Sequence, residues 1–173
     1  ITALEYFLDH GHKEIGLLVG QEETADATPL QMDPRQRTFQ QFLTEKGLYE
    51  ERFVSVGQFS TESGYQMMEQ LIQALGDDLP TAFFMASDAL AVGALRSLQE
   101  HQIAIPDRVS LISFNDTSIA KYVFPALSTV TVYTEEMGKQ AIQMLRQAFQ
   151  GNQPSVPYMV KLATKLTIRD SSR

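Results

Sequence analysis

Three apolar runs in this chain stop on side chains that can do chemistry. The run Val109–Phe114 ends at Asn115-Asp116-Thr117, the run through Phe83 and Met85 ends at Ser87-Asp88, and Phe53–Val56 is followed by Gly57-Gln58-Phe59-Ser60. A fourth candidate is Arg35, in the first turn of a helix opened by Asp33-Pro34. Together these offer an aromatic face, a hydroxyl, an amide, two carboxylates and a guanidinium. Carboxylates accept from vicinal hydroxyls, amides both donate and accept, and a Phe ring presents a flat apolar face to the C–H side of a sugar ring. That is the chemistry of a site for a neutral, hydroxyl-rich ligand. One net hydrogen bond stabilises by only about 1 kcal/mol, so several must converge.

Each residue also has a plainer reading. Ser87 and Asp88 can be the N-cap and first-turn acid of the following helix. Asn115-Asp116-Thr117 can be an Asx turn, Phe59 a core aromatic, and Arg35 a solvated side chain opposing the helix dipole. One side chain can cap and bind at once. Enzyme readings have less to stand on. His10, His12 and His101 are scattered outside any metal-ligand spacing, no Gly-x-Ser-x-Gly elbow is present, and no glycine-rich phosphate loop follows the first strand. A hydrolase keeps only the pair Asp88 and Asp116. The expectation is a protein that is not an enzyme, with no catalytic residue, metal or cofactor.

The elements that must position these residues read as alternating strands and helices. Leu4, Phe7 and Leu8 share a helix face that ends at Gly11. Ile15–Val19 is a buried strand, residues 21–33 a loop, and Asp33-Pro34 the N-cap and N1 of a helix with Phe39, Phe42 and Leu43 inward. Phe53–Val56 is a strand. Ser60 caps a helix with Tyr65, Met68, Leu71, Ile72 and Leu75 inward. Residues 81–87 form a strand, followed by a helix burying Ala91, Ala94, Leu95 and Leu98. Strands over 109–114 and 128–132, a helix over 134–149, and a closing hairpin or broken edge strand over 158–162 and 165–168 complete the reading. Such alternation predicts an α/β fold with a mostly parallel sheet. In such sheets ligands bind beyond the carboxyl ends of the strands, which puts the candidates on one rim.

The 173 residues hold 43% apolar side chains, enough for one domain with a core. No apolar run is long enough to cross a membrane. There is no Cys, which excludes disulfides and thiolate chemistry and fits a reducing compartment. The net charge of −7 repels a phosphate backbone, so these residues are not expected to form a DNA-binding element themselves. The sequence begins at Ile1 rather than Met, and a piece of a longer protein is expected.

The stretch from Ala82 to Thr131, "AFFMASDALAVGALRSLQEHQIAIPDRVSLISFNDTSIAKYVFPALSTVT", together with "HGHKEIGLLVG" and "GQFSTESGYQ", resembles the effector-binding core of the lactose/galactose-repressor family of transcription regulators. The likeness covers nearly the whole chain, and residues 110–130 look closest to repressors of β-galactosidase operons. It implies a periplasmic-binding-protein-like α/β fold, with a parallel sheet flanked by helices. Residues 1–132 would be the second effector-binding subdomain of a two-subdomain core. Residues 133–157 would be a helix belonging to the first subdomain, and 158–173 the return to the second; the helix-turn-helix headpiece is absent. By the same resemblance, Arg35, Phe59, Ser87 and Asn115, with Asp88 and Asp116, would bind the ligand. Ala91, Val92, Leu95, Tyr122 and Val123 would lie at a homodimer interface. Asn115 stands where many members have Asp, Val132 where some have a polar contact, and Arg108 where Asp is usual. The implied function is a cytoplasmic, sugar-responsive repressor of a galactoside operon that binds operator DNA through its headpiece. A transporter's sugar-binding protein is the alternative.

Overall fold

The computed structural model describes residues 1–21, 32–152 and 155–173. Its elements are α1 (Thr2–Asp9), β1 (Ile15–Gly20), α2 (Pro34–Glu45), β2 (Val54–Gly57), α3 (Thr61–Leu75), β3 (Ala82–Met85), α4 (Asp88–Glu100), β4 (Ser110–Asn115), α5 (Ile119–Tyr122), β5 (Ser128–Thr131), α6 (Thr134–Phe149) and β6 (Lys165–Thr167). The strands form one sheet in the order β2-β1-β3-β4-β5-β6. The first five are parallel and β6 runs antiparallel to β5. Part of the loop expected over 21–33 lies outside the described residues.

This order has a physical consequence. The chain moves outward from β1 to β2, then turns back past β1 to β3 and onward. Right-handed crossovers therefore put α2 on one face and α3 and α4 on the other. The reversal leaves a crevice at the carboxyl ends of β1 and β3, the switch point where open α/β sheets take ligands.

The central strands are buried on both faces, as their unbroken apolar runs require. Leu17, Leu18, Phe83, Met85, Leu111 and Ile112 fill the sheet, and Phe7, Phe39, Leu43, Met68, Leu90 and Leu98 come from the helices. α3 and α4 cross at two glycines. A Cβ at Gly64 would run into the Leu90 backbone, and one at Gly93 into Thr61 and Tyr65. The α1 end also forms as the sequence predicts. Gly11 takes φ +87°, and the Gly11 and His12 amides donate to Leu8 and Phe7 carbonyls.

Two expectations need correction. The sequence pattern puts Tyr65 on the inner face of α3, but Gly64 and Met67 turn inward with Met68 and Leu71, while Tyr65 donates its hydroxyl to Glu100. Residues 158–162 form no strand: Tyr158, Met159 and Val160 are exposed, and only Lys165–Thr167 finds a ladder partner, in β5. α6 forms where expected yet has no buried residue, and Met137, Ile142, Leu145 and Phe149 are exposed. Among the described residues, no helix is long and apolar enough to cross a membrane.

Candidate functional site

Arg35 is the centre of the site, and the sequence of α2 explains its posture. Asp33 is the N-cap and Pro34 occupies N1, so the backbone turns sharply and brings the two side chains together. Asp33 Oδ1 accepts from the Arg35 backbone amide at 2.7 Å and from Nε at 2.8 Å, while Oδ2 accepts from Nη2 at 2.6 Å. Nη1 donates to the Ala86 carbonyl at the end of β3, at 2.5 Å. The guanidinium carbon lies 4.8 Å from the Phe59 ring centroid and 5.4 Å from that of Phe114. Such contacts are worth about 0.5–2 kcal/mol each, more as the site is desolvated. The solvated arginine is therefore overturned: only 27% of its side chain is exposed. Burial pushes the Asp33 carboxyl up, but the Arg35 side chain and amide outweigh it and hold the group below its ordinary value.

Phe59 is set by the end of β1. A Cβ at Gly20 would overlap its ring, so only glycine there lets the ring lie over the strand end. Ser87 is the N-cap of α4, its Oγ accepting from the Leu90 amide at 3.3 Å. Asn115 closes β4 with φ +113°, outside the usual strand region, and Asp116 follows at +60°. The consecutive positive-φ residues re-aim the chain as it leaves the sheet. The Asn115 side chain has no hydrogen-bond partner among the described residues, and it is only partly buried.

Arg35, Phe59, Ser87 and Asn115 line one open hollow of ≈ 570 Å³, with Thr61, Asp88, Ala89, Val92, Thr117 and Ile119. Four loops from separate strands thus meet at one rim, at the switch point of the sheet.

The two carboxylates expected to face a ligand make their hydrogen bonds within the fold, Asp88 from the hollow's lining. Asp88 is 1% exposed. It accepts from Ser113 Oγ at 2.5 Å and Thr129 Oγ1 at 3.2 Å through Oδ1, and from the Thr117 amide and hydroxyl at 2.6 and 2.8 Å through Oδ2. All four donors come from β4, β5 and the turn after β4, so Asp88 ties the α4 N-terminus to them. Asp116 is absent from the hollow's lining. It pairs with Arg169 at 2.7 Å and accepts from Thr131 Oγ1 at 2.9 Å. Burial raises its carboxyl, but the Arg169 and Thr131 hydrogen bonds and the charges of Arg169 and Lys121 hold it below its ordinary value. A dense supply of Ser and Thr on β4 and β5 was the available sequence signal for both roles.

Of the residues expected at a subunit interface, Ala91 and Leu95 are buried inside this chain, at 0% and 3% exposure, so their side chains have no free surface to offer. Val92 lines the hollow. Val123 is partly packed on the core, while Tyr122 and its neighbour Phe124 are 83% and 84% exposed. Arg108, remote from the hollow, donates to the Asp77 and Leu79 carbonyls and holds the entry to β3. His10 Nδ1 donates to the Tyr6 carbonyl at 2.7 Å, and His12 bridges Thr81 and the Arg173 carbonyl. No group of three or more His, Cys, Asp or Glu able to hold a metal occurs among the described residues.

Residues 4–172 match the periplasmic binding protein-like domain family. The HTH-type transcriptional regulator GalR of Streptococcus thermophilus is 48% identical over 172 residues, which cover 99% of this chain and 51% of that protein. GanR of Bacillus subtilis is 40% identical over 164 residues, covering 94% and 49%. The chain thus spans about half the length of the curated relatives it matches. Among solved structures, the transcriptional regulator CelR–cellobiose complex superposes with a TM-score of 0.83 at 27% identity, over 97% of this chain and 49% of that one. The fold, the rim geometry and these likenesses agree: the chain belongs to the periplasmic binding protein-like domain family, among the cores of LacI-family transcriptional regulators.

Proposed function

We propose that this chain is the effector-binding portion of a sugar-responsive transcriptional regulator, a repressor of a galactoside-utilisation operon. The observation that carries the reading is the convergence of Arg35, Phe59, Ser87 and Asn115 on one hollow at the sheet's switch point. Arg35 donates to ring hydroxyls with the guanidinium N–H groups left over from Asp33 and Ala86. Phe59 offers the apolar face, and the unpaired Asn115 amide donates and accepts. A galactoside is the proposed ligand because the similar relatives include two HTH-type transcriptional regulators named GalR.

In this reading residues 1–132 and 158–173 form the second subdomain. The apolar face of α6, within 133–157, packs in a first subdomain supplied by the rest of the protein. The sugar closes the two around itself. Only a difference in affinity between two arrangements can drive such a change, and couplings of this kind are about 1–3 kcal/mol. The change alters the spacing of two DNA-binding headpieces in a homodimer, which reads two operator half-sites in the cytoplasm. Tyr122 and Phe124, with Ile119 and Val123, are the surface proposed for that dimer; Val92 sits beside it. No bond is made or broken and no cofactor is needed.

The test is release of the intact protein from its operator. Galactosides should release the unaltered protein, and Arg35→Ala should abolish the response while leaving sugar-free DNA binding in place. An undiminished response in that variant would discard the assignment.

A further inference from the structure

We propose that Asp33 sets the charge preference of the hollow: by closing an ion pair on Arg35 it makes the site select neutral sugars over sugar phosphates and sugar acids. The inference rests on the sugar-site reading above and names the chemical class within it.

An arginine at the mouth of a ligand hollow would by itself favour an anion, because a guanidinium matches carboxylate and phosphate bidentately. Here that recognition is already spent inside the protein. The Asp33 carboxylate, 13% exposed, lies along Nε and Nη2 at 2.8 and 2.6 Å, the two-pronged geometry an anionic ligand would need. Nη1 is drawn to Ala86. Three of the five guanidinium N–H groups are engaged, so two remain, enough to donate to neutral hydroxyls.

The rest of the lining points the same way. The hollow's other charged residue is Asp88, which stands in the first turn of α4. A helix N-terminus is a ready anion site, but this one already holds a buried carboxylate. Counting Arg35, Asp33 and Asp88 gives one positive and two negative charges. An incoming phosphate would meet no uncompensated cation among the described lining residues, in a chain whose net charge is −7. A neutral polyol meets none of that opposition.

Asp33 also caps α2, so the test must separate charge from folding. Asn and Ser both cap helices about as well as Asp. Asp33→Asn and Asp33→Ser in the intact protein therefore keep the helix start while removing the carboxylate; thermal unfolding of each checks the fold. Isothermal titration with galactose and with galactose 6-phosphate reads the ratio of the two affinities. The unaltered protein should prefer galactose, and the ratio should shift toward the phosphate by about tenfold or more in both variants, as the loss of one nearby charge predicts. Damage to the fold alone would weaken both ligands and leave the ratio unmoved. A ratio unchanged in both variants, or a native preference for the phosphate, overturns the role of Asp33 while leaving a sugar site intact. Binding of neither sugar by the unaltered protein overturns the sugar-site reading and this inference with it.

Discussion

The residues of the rim divide into those that hold the fold and those left over for a ligand, and the division is testable. Asp88 accepts four hydrogen bonds in a buried position. Asp88→Ala would orphan those donors and is expected to destabilise the intact protein by about 2–5 kcal/mol, read as a lower denaturant midpoint. Asn115→Ala removes an amide with no protein partner, so stability should fall only by the roughly 1 kcal/mol of backbone strain that Ala brings at φ +113°, while sugar affinity falls about tenfold, the worth of one good hydrogen bond. Swapped outcomes would mean that the two roles have been exchanged. Asp33 and Asp116 carry folded-state pKa values below their ordinary ones. Their contribution is therefore fully present above the ordinary aspartate value of about 3.9 and is lost as pH falls through the lower folded values. Urea midpoints should be insensitive to these two groups between neutral pH and about pH 5, then decline below pH 4. Asp116→Asn should flatten part of that decline. An unaltered acid limb would show that the Arg169 pair does not stabilise the folded state.

At the scale of elements, α3 and α4 approach closely because Gly64 and Gly93 have no side chains. Gly93→Ala has no room against Thr61 and Tyr65 and is expected to cost about 1–3 kcal/mol or more, seen as a drop in the melting midpoint. A neutral result would show that the helices can slide apart without loss. The elements themselves were legible in the sequence. Short unbroken apolar runs such as Ile15–Val19, too short for a helix of ordinary length, read as doubly covered strands, and Asp33-Pro34, Ser60 and Ser87 mark helix starts by mechanism. What was not legible depends on contacts between distant residues. Nothing local distinguishes Met67 from Tyr65 as the inward residue of α3, because the Gly64–Gly93 crossing sets the helix rotation. Residues 158–162 carry a strand-like composition, but a strand needs a neighbour. The rim positions Arg35, Phe59, Ser87 and Asn115 were readable because strand ends in a parallel sheet face one way. That Asp33 would embrace Arg35, and that Ser113, Thr117 and Thr129 would consume Asp88, required the tertiary structure.

At the scale of the whole molecule, apolar side chains stay exposed on several surfaces of the described residues, and two of these surfaces concern the proposed regulator. One is the α6 face with Met137, Ile142, Leu145 and Phe149; the other carries Tyr122 and Phe124. The proposed regulator uses both, the first within its own core and the second between subunits. Tyr122→Ser with Phe124→Ser should turn a dimer into a monomer by sedimentation and weaken operator binding without lowering sugar affinity. A dimer that persists would move the interface elsewhere. The central claim, that one hollow at the switch point of the sheet receives a sugar, is tested most directly by calorimetric titration of the intact protein with galactosides, beside Arg35→Ala. Saturable binding that the substitution reduces at least about tenfold is the predicted result; equal binding by both proteins, or none by either, would contradict it.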